Sequence, residues 1–260
     1  FVAGSLVVIA VNYQAILPAF KAIFVNAFAP EAFVGGGIGG VIVAMTNGFK
    51  RGVFSNEAGL GSSVMVHSNS SVKEPVKQGM WGIFEVFADT MVVCTMTALV
   101  VLTSGVFDAK TGAIAEGLTD ATLVAGAFNS VFSWGNIGQR FVAIAMFLFA
   151  FTTVLGWSHY GSKAWEYLFG AKTTIIFKII HVITVIFGAV MTSTLAWDIS
   201  DTFNGLMMIP NLIGVVALFP LVMKITRNYV NRKIKNINET PVLSYDPKIQ
   251  AEVQDGLENE

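Results

Sequence analysis

The sequence predicts an all-α, polytopic membrane protein. Composition, long apolar segments and the placement of cations between those segments carry that expectation. Of 260 residues, 54% are hydrophobic and 13% charged, whereas a soluble domain has about 25% charged residues. Polar interruptions inside the apolar segments then mark where a ligand would be held. The single cysteine, Cys94, excludes an intramolecular disulfide framework and a cysteine-rich metal cluster. Its apolar neighbours make it a packing residue.

Six segments are long enough to cross a hydrocarbon core, which needs about 20 residues. They fall near 3–24, 37–66, 79–103, 138–161, 173–194 and 197–226. The first opens inside an apolar run, without an initiating Met or a basic flank. It reads as a chain beginning within a membrane helix, hence the carboxy-terminal part of a longer protein, and not as a signal peptide. The sixth carries Pro210, which removes a helical hydrogen bond and is expected to kink or divide it. The transmembrane bundle thus covers 1–226. The charged tail at 227–260 has few aromatic residues and is expected to be largely disordered.

Loop charges orient these crossings. Lys73 and Lys77 follow the second segment, Lys163 and Lys172 the fourth, and Lys224, Arg227, Arg232, Lys233 and Lys235 close the sixth. The opposite loops are poor in cations: 25–36 has none and the mildly acidic 104–137 only Lys110. Basic loops favour the cytoplasm, so the carboxy terminus is expected inside. Retention by anionic lipid explains the basic run after Lys224 better than nucleic acid does. Sequons at Asn69 and Asn238 then face the cytoplasm and are not expected to carry glycans.

The most informative segment is the broken second one, around 54–63, where Asn56, Glu57, Gly59 and Gly61 interrupt an apolar run. Irregular backbone survives at membrane depth only within protein or beside a cavity. Secondary transporters build substrate and ion sites from such breaks. Glu57 has three readings. It attracts a substrate ammonium or a cation, it braces the unwound backbone, or it pairs with Lys50 or Arg51. The exposed N–H groups of an interrupted helix, with Ser55 and Asn56, also suit a substrate carboxylate.

A second constellation, FAFTTVLGW at 149–157, sets Phe149 one turn before Thr152 and Thr153. Two hydroxyls and a partly released carbonyl are hard oxygen donors for a small cation. The alternative is that the threonines bond their own preceding carbonyls. Thr153 and Trp157 share a helix face. Glu85 and Asp89 are spaced i, i+4 without a nucleophile or metal pattern beside them, and structural bonding is the better reading of Asp89. Trp197, Asp201 and Asn204 form a stripe that faces either a polar interior or the interface. The glycine run GGGIGG at 35–40 lacks the strand a dinucleotide site needs and reads as close helix packing. His67, His159 and His181 have no metal-ligand spacing.

Taken in order, GVFSNEAGLGSS (52–63), VKQG (76–79), FADT (87–90), CTMT (94–97), FAFTTVLGW (149–157) and NGLMMIPN (204–211) resemble the alanine or glycine:cation symporters, the sodium:alanine symporters. The resemblance covers about 1–226. It implies a leucine-transporter-type inverted-repeat fold, with the fifth core helix and the second five-helix repeat present here. The missing amino-terminal half would then supply the remaining ligands. By the same resemblance, Ser55, Asn56, Glu57, Gly59 and Gly61 cradle the charged ends of the amino acid. Thr152, Thr153 and the Phe149 carbonyl match the sodium site. Thr153 and Trp157 border a small side-chain pocket, where the indole excludes larger substrates.

The implied function is sodium-coupled symport of alanine or glycine across the cytoplasmic membrane, without covalent catalysis. A proton-coupled amino-acid transporter and a non-transporting scaffold or receptor of the same fold are the rivals. The resemblance assigns no role to Lys50, Arg51 or Asp89.

Overall fold

The computed structural model describes residues 1–27, 37–108 and 113–258. The start of the GGGIGG run and Lys110 lie outside them. The described residues are helical almost throughout, and Phe107 and Ile114 form an isolated antiparallel bridge.

The chain begins with α1 (Val2–Val11) and α2 (Ile16–Ala27). The first apolar segment is therefore not straight: its two halves meet at a bend of 82°. Asn12 sits at the corner, and its side-chain amide donates to the Val8 carbonyl at 2.9 Å. The same carbonyl accepts the Asn12 N–H at 3.1 Å, so Asn12 closes the end of α1 with both its backbone and its side chain. Next come α3 (Gly37–Asn56) and the single turn α4 (Val64–His67).

Helix α5 (Pro75–Phe87) passes through a π-helical stretch at Ala88–Cys94 into α6 (Thr95–Thr103), forming one 29-residue span. Helix α7 (Asp120–Val131) starts where the Thr122 hydroxyl accepts from the Thr119 N–H at 2.8 Å. It leads into α8 (Ile137–Phe169), which Gly170 ends with a φ of 82°. Helices α9 (Thr174–Val190), α10 (Ser193–Lys233) and α11 (Pro247–Glu258) complete the described chain.

Among the described residues four helices are long and apolar enough to cross a membrane, or five if the bent α1–α2 pair is one span. Six segments were expected. The second falls short in apolarity, because the 20-residue α3 carries Asn47, Lys50 and Arg51 toward its end. Pro210 does not divide the last segment: α10 runs through Pro210 and Pro220 as one 41-residue helix. A proline deletes one ladder bond, and membrane helices tolerate the loss when neighbouring turns hold. Most apolar side chains of these spans face outward; Val190 is 79% exposed and Ile213 68%. Such a surface fits hydrocarbon as its solvent.

The chain forms two compact units, Phe1–Arg51 with Ala88–His181, and Gly52–Phe87 with Val182–Glu260. In the first, Val8, Val100, Ala127, Phe128 and Val142 form a buried core. Helices α7 and α8 approach closely there: a Cβ on Gly138 would fall 2.5 Å from the Asn129 backbone nitrogen. Small residues allow such backbone approach between membrane helices.

In the second unit α10 packs on α5. The disorder expected beyond 227 is not found in the described part of the tail. Buried Asn228 donates to the Thr240 carbonyl at 2.9 Å and accepts from the Val242 N–H at 2.9 Å, folding the chain back on α10. Gln250 fixes the next turn by accepting from the Leu243 and Ser244 N–H groups. Amide side chains thus do here what an apolar core does elsewhere, and composition alone does not register them.

Candidate functional site

The site begins where α3 stops. Glu57 takes a φ of 51°, Gly59 80° and Gly61 78°. The two glycines adopt the left-handed region freely, whereas Glu57 does so at a cost of about 1–3 kcal/mol. Local bonds hold it there. The Glu57 carbonyl accepts the Leu60 N–H at 3.1 Å, and its carboxylate accepts the Ser62 hydroxyl at 2.6 Å. Ser62 is 1% exposed and Leu60 4%, so the turn is pinned from its buried side.

A second clamp comes from α10. The Asn211 side-chain amide donates to the Gly59 carbonyl at 2.9 Å. A Cβ on Gly61 would lie 2.5 Å from the Asn211 Oδ1, so glycine is also required by space. The sequence offered Asn211 only as the last residue of the NGLMMIPN string and did not reveal this bond. Nothing local links positions so far apart in the chain. Ser62 was equally hidden, as one serine among several.

These residues flank an open cleft of about 950 Å³. Asn56, Glu57, Gly59 and Gly61 line one part, with Asn211 and Gln78 elsewhere on its wall. Ser55 occupies the last turn of α3 and is exposed. The carboxy-terminal end of the 20-residue α3 points into the break, with the Glu57 carboxylate just beyond it. Both favour positive charge. The amino-terminal dipole expected after the break is small, because α4 is only four residues long. Contacts to a substrate carboxylate would rest on the turn's own N–H groups.

The cleft also holds a polar relay. Ser70 donates to Gln78 Oε1 at 2.9 Å, and Gln78 Nε2 lies 2.7 Å from His67 Nδ1. His67 Nε2 is 3.2 Å from a Glu85 carboxylate oxygen. With the Gln78 amide donating, the imidazole carries its proton on Nε2, toward Glu85. Glu85 thus pairs with a residue whose position the sequence did not connect to it. Asp89 falls in the π-helical stretch, an irregularity its sequence did not signal.

Phe149, Thr152, Thr153 and Trp157 all lie on α8, in the first unit. The partly released carbonyl expected at Phe149 is instead a regular helical one. It accepts the Thr152 hydroxyl at 2.9 Å, and the Leu148 carbonyl accepts it at 3.1 Å. Back-bonding of that kind leaves the hydroxyl lone pairs outward. Trp157 is half-buried and packs edge-on against Tyr160, with ring centres 5.7 Å apart. Among the described residues no three His, Cys, Asp or Glu side chains are grouped to hold a metal ion.

The sequence profile of the sodium:alanine symporter family matches residues 1–244. The chain belongs to that family. Members of the sodium:alanine symporter family are transporters, not enzymes. A sodium/alanine symporter, AgcS, of Methanococcus maripaludis is 40% identical over 88% of this chain and 49% of its own length. The amino-acid carrier protein AlsT of Bacillus subtilis is 34% identical over 98% of this chain and 50% of its own. A sodium/proton-dependent alanine carrier of Bacillus sp. strain PS3 is 33% identical over 83% of this chain and 50% of its own. The chain spans about half the length of the curated relatives it matches. No solved structure matches it.

Proposed function

We propose that the full protein carrying this chain is a sodium-coupled symporter of small neutral amino acids, alanine and glycine, in the cytoplasmic membrane. The supporting observation is the interruption at 57–63 in a member of this family. Three left-handed residues, a braced carboxylate and the end of α3 converge beside an open cleft. Glu57 and the α3 carbonyl end suit the substrate ammonium, while the N–H groups of the turn, with Ser55 and Asn56, suit its carboxylate. Thr152, Thr153 and the Phe149 carbonyl are offered as sodium ligands, and Trp157 with Thr153 as the limit on side-chain size. The family resemblance supports a leucine-transporter-type inverted repeat, a 1–226 bundle and a cytoplasmic tail.

Sodium binding would stabilise the form with an assembled substrate site, and the coupling is reciprocal, typically about 1–3 kcal/mol. Rocking of one bundle against the other would then release both ligands inside. Proton coupling is the second reading, favoured by the sodium/proton-dependent description of one relative. The test is radiolabelled alanine uptake by the full-length protein in liposomes. Accumulation that requires an inward sodium gradient and is competed by glycine supports symport. Uptake driven by a proton gradient alone would transfer the reading to proton coupling.

A further inference from the structure

Helix α10 carries no formal charge from 202 to 223. At about 1.5 Å per residue this run matches the thickness of a hydrocarbon core. Lys224 is the first charge beyond it and Arg227 follows one turn later. Their position at a membrane boundary has independent support in the same unit. Lys77, Trp81 and Tyr229 together line a shallow recess, the amphipathic set that collects at headgroup level.

Lys224 and Arg227 line a cavity of about 680 Å³. Pro220 and Met223 form its wall on the charge-free side, and Asn228 and Asn231 that on the polar side. Glu239 is the acidic member of the lining, and its two oxygens accept from the Asn228 amide at 3.3 Å and the Asn231 amide at 2.9 Å. Its carboxylate, on the folded-back tail, is therefore engaged by two amides of α10. Two exposed cations and one bonded carboxylate leave the cavity cationic, with apolar surface at Val242 of the fold-back and at Pro220 and Met223 on the charge-free side. Met223 is 53% exposed on that side.

We propose that this cavity binds the phosphodiester headgroup of an anionic phospholipid, its phosphate between Lys224 and Arg227 and its acyl chains along Pro220 and Met223. Arg supplies a planar fork of donors and Lys a point charge, a combination suited to a phosphate at an interface. The fold-back of 239–242 completes the wall, so the site needs tertiary structure as well as a basic run. This inference is independent of the transported substrate.

The test uses the full-length protein, stripped of lipid in detergent, and measures lipid adducts by native mass spectrometry. The probes are phosphatidylglycerol and phosphatidylcholine. Phosphatidylglycerol is expected to bind about tenfold more tightly. Lys224→Gln/Arg227→Gln should abolish that preference, while the charge-conserving swap Lys224→Arg/Arg227→Lys should keep it. Equal binding of both lipids by the unaltered protein, or a preference that survives the glutamine pair, would overturn the proposal. Competition by soluble glycerol 3-phosphate would overturn the lipid assignment and name a free phosphate as the ligand.

Discussion

Asn211 donates its side-chain amide to the carbonyl of Gly59 at 2.9 Å, joining α10 to the unwound turn after α3. The same carboxamide lies against the Cα of Gly61, the one face of that residue where a Cβ would stand. Glycine at 61 and asparagine at 211 are therefore coupled by contact.

Gly61→Ala is expected to reduce thermal stability and alanine uptake, since its φ of 78° is costly for any Cβ and Asn211 occupies the space. Asn211→Ala removes the bond to Gly59 and opens that space. The double variant should therefore lose less than the sum of the singles, by about 1 kcal/mol in a thermal-unfolding cycle. Strict additivity would show that the two residues do not sense each other.

Ser62→Ala removes the hydroxyl that the Glu57 carboxylate accepts at 2.6 Å. Hydrogen bonds to charged groups contribute about 1.5–3 kcal/mol. The KM for alanine is expected to rise by about tenfold or more, with protein yield retained. Ser62→Thr, which keeps the hydroxyl, should recover part of the loss. An unchanged KM in Ser62→Ala would separate the Glu57 brace from substrate binding.

Arg232 holds Glu74 through two bonds of 2.9 Å, Nη1 to Oε1 and Nη2 to Oε2, and Glu74 is 3% exposed. Its Nε also donates to Asn228 at 2.8 Å, tying the folded-back tail to the loop before α5. Removing one member of a buried pair costs about 3–5 kcal/mol, while replacing both by apolar residues is often close to neutral. Arg232→Met should therefore unfold at a markedly lower temperature than Glu74→Met/Arg232→Met. Equal midpoints would mean that the pair is hydrated in solution.

Thr153→Ala is expected to weaken sodium activation of uptake, and Trp157→Ala to admit amino acids with larger side chains. Sodium titration of alanine uptake and a competition panel of neutral amino acids measure the two effects separately. An unaltered sodium dependence in the first variant, or an unaltered panel in the second, would remove that residue from its proposed role.

The sequence by itself determined that this is a helical membrane protein of the sodium:alanine symporter family. Apolar run length follows from bilayer thickness, and the family's strings are local. Gly59 and Gly61 signal an interruption for a local reason too, because a left-handed backbone selects glycine. Tertiary structure alone decided what holds that interruption. Asn211 and Ser62 hold it by side-chain bonds, and the Glu74–Arg232 pair elsewhere ties α10 to the loop before α5; the first and last of these links join residues distant along the chain. The bend at Asn12, the π-helical stretch around Asp89 and the unbroken passage of α10 through Pro210 belong with them. Hydropathy averages over individual residues and their bonds, and so cannot register these shapes. The tail shows the same physics: its composition reads as disorder, yet Asn228 and Gln250 satisfy its backbone and fold it against α10.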